Sequence, residues 1–581
     1  MRQLGSEFVA FVSKFFVEIG PEGRWLYFAV ENTAFYSLIL LTLLSFLSDL
    51  RPGFGQKSKT LNIIQARWVF SLILFVFVVM SKFPTAMIGH LNPDEELWIA
   101  CAKTMMQDPR PWLECDTSTS GPLVILPLIV LKFFGIPIDV GSTRLASGIV
   151  FALSVVFAFQ AYTNIFGKSL GRLAIIPLSA ALGLGTSFFW DFIPYNGEQV
   201  PVLLLSLSFL LLSKVYISDS SRPWPIFLLG IVLGVVPFAK LQAVPIALFI
   251  TLITFVILFK RKSIHIWLFT LSGILPFILI IVWITLAGDI GHFWNSYILF
   301  NFFYVNMETP EGTTLFTKLI LAWDMLFEVI NVSFYFQSSL IICLFSLLFL
   351  NIRNAFKNKR ATSVLVFSLF YFIVTLYCIG QPYRHFVHYT IFAFLSMNLL
   401  MASFLFAFVQ SHSHFSLPKI RNLIPYTVLL SISVIYFYQV FSFHPPFFGH
   451  SDQHQNGYGH NLEVAAVINK YTHSGDRLAV WGWNGTFYSD TDLIMGSRFA
   501  DTAGIIVPNP HNAYLMDVYI GDLTRNTPRI FLDAIKAGER FYDRNVYGFE
   551  NFPKLRVYIE ENYKLAEDIQ GFRVYVRNGT N

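Results

Sequence analysis

The sequence predicts a polytopic α-helical membrane protein that ends in a small α/β domain. Three observations lead there. Of 581 residues, 55% are hydrophobic and only 13% charged, where a soluble chain carries about a quarter charged residues. Apolar runs of membrane-crossing length, roughly 17–25 residues, recur along most of the chain. After residue 444 the composition turns polar and rich in Asn, Asp and Gly. Phe occurs 62 times, which suits lipid-facing helices and interfacial belts.

The elements follow in order. Residues 1–32 form an N-terminal segment without the basic, apolar and small-residue order of a cleavable signal. Spans are expected at 33–49, 67–87, 143–163, 171–190, 199–216, 224–239, 241–259, 265–287, 337–352, 362–381, 385–409 and 423–443. The run "SGPLVILPLIVLKFFG" is short and holds Pro122, Pro127 and Lys132, so it is read as a helix lying along the interface. With that run left out, the basic connectors all fall on one side. They are Arg51–Lys59, Lys168–Arg172, Lys214–Arg222, Lys260–Lys262, Arg353–Arg360 and Lys419–Arg421. The positive-inside rule makes that side cytoplasmic and gives about twelve crossings. A loop at 88–142, a second large loop at 288–336 and the tail 445–581 are then extracytoplasmic. Within 288–336, residues 313–330 place Lys318, Asp324 and Glu328 opposite an apolar face, as an interfacial helix would. In the tail, "RLAVWGW" and "GFRVYVRN" read as strands, and "NLEVAAVINKY" and "FPKLRVYIEENY" as amphipathic helices.

The net charge of +5 comes from short basic clusters between apolar spans. That pattern serves topology and gives no nucleic-acid interface. Cys343 and Cys378 lie in apolar runs. Cys101 and Cys115 share the first loop and either pair in an oxidising compartment or stay as two thiols.

The chemistry-bearing residues gather on the outer side. "NPDEELW" places Asp94, Glu95 and Glu96 just beyond a span. "WDFIPYNGEQVP" places Asp191 and Glu198 at the mouth of two others. Lys240 interrupts "LGVVPFAKLQAVP", and Tyr383, Arg384, His385 and His388 crowd "PYRHFVHY". Each has a plain alternative: a solvated acid, a helix N-terminal acid or a cation snorkelling to headgroups. Together they suit sugar transfer from a lipid-linked donor. A carboxylate takes the acceptor's proton, and cations neutralise the departing polyprenyl phosphate. No G-x-x-x-x-G-K-[ST] motif, no G-x-G-x-x-G after a strand and no zinc-spaced Cys/His cluster occurs.

The order of "NPDEELW", "SGPLVILPLIVLKFFG", Glu198, "LGVVPFAKLQAVP" and "PYRHFVHY" resembles the GT-C glycosyltransferases. It is most similar to the protein O-mannosyltransferases and the lipid A aminoarabinose transferases, and the tail resembles the terminal domain of many bacterial members. The resemblance implies a GT-C fold. It implies Asp94 as general base, with Glu95 supporting it or contacting the acceptor. Glu198 would position substrate or a cation, and Lys240 and Arg384 would hold the donor phosphate. The implied partners are a polyprenyl-phosphate sugar donor, membrane lipid, and a glycan, lipid or protein acceptor. Some members use a divalent metal ion; the resemblance leaves that open here. "WGWNG" lacks the Asp of the Trp-Trp-Asp-Tyr-Gly signature, which argues against oligosaccharyl transfer to protein. Two other classes compete. A flippase for a lipid-linked glycan would want midplane charges and inverted repeats, and no repeat is evident. A scaffold would explain the tail but not the clustered charges.

Overall fold

The computed structural model describes residues 21–50, 66–88, 92–217, 222–307, 309–310, 312–350, 352–411, 434, 462–539 and 541–579. The expected span at 423–443, the start of the tail and the basic residues at 51–59, 419 and 421 lie outside them, apart from residue 434. Eight described helices are long and apolar enough to cross a membrane. They are Arg67–Ala86, Val140–Phe166, Lys168–Ser187, Gln199–Ile217, Leu241–Lys260, His265–Ala287, Lys359–Gly380 and Val387–Ser411. A ninth, bent by 112°, joins Leu315–Glu328 to Val332–Leu348. The bend separates an amphipathic helix, capped by Thr314, from the apolar one that follows. Shorter apolar helices cover Ala29–Ser45 and Pro223–Phe238. The chain is an integral membrane protein.

Burial sorts these helices. Val387–Ser411 and Lys168–Ser187 are wrapped by neighbours, while His265–Ala287 shows most of its surface and faces lipid. Small residues allow the close crossings. A Cβ on Gly234 would lie 2.1 Å from the carbonyl oxygen of Gly273, so Gly is required where Pro223–Val235 crosses His265–Ala287. The run expected along the interface forms a short apolar helix, Pro122–Phe133, whose start is fixed by a Gly121 N–H bond to Ala239 O at 2.8 Å.

The C-terminal domain is an α/β unit around one five-stranded sheet. Its strands are β1 (Arg477–Trp481), β2 (Ile494–Met495), β3 (Ile530–Asp533), β4 (Tyr563–Ile569) and β5 (Phe572–Arg577). The order is β2-β1-β3-β5-β4. β1 pairs parallel with β2 and β3, and β5 pairs antiparallel with β3 and β4. β1, β5 and the helix Pro553–Asn562 fall where the sequence placed them. Strands β3 and β4 and the helix Asn512–Asn526 were not resolved from the pattern.

One apolar cluster runs from the first loop into this domain, joining Leu97, Ile99 and Met105 to Leu478, Phe487 and Leu532. Polar contacts reinforce it. Arg498, 4% exposed, bonds Asp522 at 2.8 Å, Asp289 at 3.0 Å and the Trp112 carbonyl at 2.8 Å. Arg477 bonds Glu114 at 2.7 Å. His292 Nε2 meets Asp116 at 2.7 Å while its Nδ1 meets the Tyr514 hydroxyl at 3.1 Å.

A Cys101–Cys115 disulfide pins the first-loop helix to the chain that follows, with a sequence separation of 14. A closed loop of this length is worth about 3 kcal/mol. Cys101→Ser with Cys115→Ser is therefore expected to lower the thermal midpoint of purified protein, with no thiol alkylated at these positions in the unreduced wild type.

Candidate active site

The three adjacent acids open the helix Pro93–Gln107. Asn92 caps it by accepting the Asp94 N–H at 2.8 Å, and Pro93 holds the first helical position. Carboxylates are favoured there because the unpaired N–H groups give that end a partial positive charge. Successive residues on a helix point about 100° apart, so the three diverge. Glu95, 1% exposed, accepts from Arg144 at 2.9 Å and from the Tyr195 N–H at 3.0 Å. Glu96 accepts the Gly485 N–H of the C-terminal domain at 3.0 Å. Asp94 opens to solvent.

Asp94 faces a cluster drawn from three other connections. His388 and Lys240 act on it as cations and Glu198 and Asp191 as anions. Burial by the surrounding protein raises its pKa, Glu198 and Asp191 add to the rise, and His388 and Lys240 partly offset it. Within the cluster, Lys240 pairs with Glu198 Oε1, and both are buried. Asp191 accepts the His388 backbone N–H at 2.9 Å and faces its Nδ1 at 2.8 Å. His388 Nε2 lies 3.9 Å from Glu198 Oε2. Burial works against the charge on Asp191, but the His388 bonds together hold its pKa below the ordinary value.

Local structure sets these positions. An extended Lys240 backbone pairs with Ser120 in an isolated antiparallel bridge. This ties the interfacial run to the turn between two spans. Gly197 lies where a Cβ would be 2.6 Å from Ser120 Oγ, so a side chain there would push on the Ser120 hydroxyl beside the Lys240 bridge. Tyr389 lies beneath Lys240, with Nζ 5.2 Å from the ring centre, and hydrogen-bonds to Tyr304. Arg384 stacks on the Tyr304 ring at 4.1 Å. Tyr383 takes a left-handed backbone, φ 50°, at the tight turn that presents Arg384.

Of the residues singled out in the sequence, Glu198, Lys240 and His388 thus meet in one buried cluster, and Asp94 lies within its electrostatic reach. Arg384 borders the cluster through Tyr304 and Tyr389, and Tyr383 shapes the turn. Glu95 points away from the cluster. Asp191, noticed at the mouth of two spans but given no role, is the partner of His388. Tyr304 and Tyr389 had no signal beyond being aromatic near a span end.

The C-terminal domain brings Asp501 within electrostatic reach of Asp94 and Glu96. Burial pushes Asp501 up to about 7 against the pull of the Ala503 N–H, and the charges of Asp94 and Glu96 add to the rise. The sign is plain. Unfolded, Asp501 has an ordinary carboxylate pKa near 4, so between about pH 4 and pH 7 the folded state holds the extra proton and stability falls as pH rises. Asp501→Asn is expected to raise the thermal midpoint at pH 8 and to leave it nearly unchanged at pH 4. Equal shifts at both would remove the electrostatic account.

Among the described residues, no group of three or more His, Cys, Asp or Glu side chains is arranged to hold a metal ion. Both Asp191 oxygens are taken by His388 and one Glu198 oxygen by Lys240. These pairings leave Glu198 Oε2 as the one cluster carboxylate oxygen without a hydrogen bond among Asp191 and Glu198, too few donors to hold a divalent ion.

No protein-family profile matches the chain, and no curated protein does. Among solved structures, ArnT from Cupriavidus metallidurans aligns in its undecaprenyl phosphate-bound and apo crystal forms. In each case the TM-score is 0.52 and the identity 12%, over 88% of this chain and 98% of that one. At this identity the likeness is one of fold, here a bundle of membrane-length helices followed by a small α/β domain. The Archaeoglobus fulgidus oligosaccharyltransferase, tethered with an acceptor peptide, aligns at 11% identity and TM-score 0.41 over 89% of this chain and 75% of that one. That similarity is too low to argue from.

Proposed function

We propose that this chain, with the fold of ArnT, is a membrane glycosyltransferase. It moves a sugar from a polyprenyl-phosphate donor to an acceptor hydroxyl on the extracytoplasmic face. The observation that carries the reading is an exposed carboxylate, Asp94, within electrostatic reach of the buried cluster of Lys240, Glu198, His388 and Asp191. The undecaprenyl phosphate bound to ArnT supports a lipid phosphate as the group held there.

The step balances simply. The acceptor oxygen bonds to the anomeric carbon, its proton passes to the Asp94 carboxylate, and the bond from that carbon to the phosphate oxygen breaks. The electron pair leaves with the polyprenyl phosphate. A raised pKa suits Asp94 to this task, since a base is most effective when its pKa approaches the working pH. Lys240 and Arg384 counter the charge on the leaving phosphate, Arg384 held in place by Tyr304 and the Tyr383 turn. His388, fixed by Asp191, lies on the same side. Glu198 keeps Lys240 in place. Glu95 does not touch the reacting groups and holds the helix through Arg144.

The test is mass spectrometry of envelope glycans, glycolipids and glycoproteins from cells lacking the gene and from cells restored with it. Loss of one sugar mass from one carrier, regained on restoration, is the expected result. No change in any carrier would put transport or scaffolding ahead of transfer.

A further inference from the structure

Lys82 is the last residue of the helix Arg67–Lys82 and is 1% exposed. A lysine inside a membrane span is costly and marks a functional element. All three ammonium hydrogens find acceptors on one short segment: Thr186 O at 3.0 Å, Thr186 Oγ1 at 3.3 Å and Phe192 O at 3.2 Å. The side-chain stem runs between helices. A Cβ on Gly148 would lie 3.3 Å from the Lys82 Cβ, and the ammonium is 5.6 Å from the Phe151 ring centre. The charged groups that face it are Arg144 and Glu95, which pair with each other. The charge of Lys82 is therefore held by carbonyls, one of them at the C-terminal end of a helix where the dipole is negative.

Thr186 and Phe192 bracket the turn that carries Asp191. The same connection is gripped again at Tyr195, whose N–H bonds Glu95. Two buried charged groups thus pin 186–195, and the carboxylate between the pins fixes His388.

We propose that Lys82 is a positioning residue for the transfer reaction, acting through Asp191 to hold His388 beside the donor phosphate. This rests on the function proposed above. Methionine supplies an apolar side chain of similar length and removes all three bonds to Thr186 and Phe192.

The probe is undecaprenyl phosphate, the lipid phosphate common to donors of any sugar, with its Kd measured on purified protein. Wild type is compared with Lys82→Met, Lys82→Arg, Asp191→Asn and the Lys82→Met/Asp191→Asn pair. Lys82→Met is expected to weaken binding roughly 10-fold or more, because the turn that holds Asp191 and His388 loses one of its two pins. Asp191→Asn should weaken it similarly, the pair no further than either alone, and Lys82→Arg least. A purely structural lysine would lower the folded yield and thermal midpoint but leave the Kd of folded protein unchanged. That result, or effects that multiply in the pair, overturns the inference while the function stands. If Lys82→Met does not fold, Thr186→Val, which removes one of the three acceptors, is read in its place, and a Kd equal to wild type overturns the inference. Wild type that fails to bind undecaprenyl phosphate overturns the proposed function and the inference with it.

Discussion

Asp94→Asn is expected to lower sugar transfer by about 10² to 10⁴-fold, the usual worth of a positioned general base, with folded protein at wild-type level. The side chain keeps an exposed face within the protein that packs around it, and its N-cap bond uses only its backbone N–H. The amide therefore removes the proton acceptor without leaving a buried group unpaired. Undecaprenyl phosphate binding should persist in the variant, which separates a lost base from a lost site. The pH dependence carries the same signature. Asp94 must be ionised to act, and its pKa is raised. The acidic limb of wild-type activity should therefore set in at higher pH than an ordinary carboxylate would give. Restoration of the missing glycan by Asp94→Asn as fully as by wild type would remove Asp94 from the chemistry. A scaffold would hardly notice the change.

The neighbouring residue should behave in the opposite way. Glu95 and Arg144 are 1% exposed each and meet at 2.9 Å. Arg144 also donates to the Thr85 carbonyl at 2.9 Å. Removing one partner of a buried ion pair costs about 3–5 kcal/mol, because the other is left charged and alone. Arg144→Met or Glu95→Gln is expected to cut folded yield and thermal midpoint sharply. Arg144→Met combined with Glu95→Leu should recover much of the loss, since an apolar pair of similar volume can replace a buried ion pair. The protein that does fold should keep measurable transfer. A Glu95→Gln protein as stable as wild type but inactive would mean that Glu95 acts in the chemistry and not in the framework.

The contrast between two adjacent acids shows where the sequence is legible. Composition and apolar run length are local properties, and they determine by themselves a helical membrane protein with a polar terminal domain. Span positions at 67–87, 143–163, 199–216 and 265–287 follow because a bilayer imposes one length on every crossing. The acid-rich helix start and the breaks at Asp191–Glu198, Lys240 and Tyr383–His388 are also visible, since charge is rare elsewhere in the chain.

Which of those charges meet is not a local property. Glu95 and Arg144 are 49 residues apart, Lys240 and Glu198 are 42 apart, and His388 and Asp191 are 197 apart. Only the packing of Val140–Phe166, Gln199–Ile217 and Val387–Ser411 brings them together. The helix turn sends Asp94, Glu95 and Glu96 to three different surroundings, which a run of three acids in text cannot reveal. Lys82 was hidden inside an apolar span and Asp191 had no visible partner, because each is defined by a contact more than a hundred residues away. Periodicity and composition record how a segment meets its solvent. The roles of ionisable groups are set by which of them share a low-dielectric cleft, and only the tertiary structure decides that.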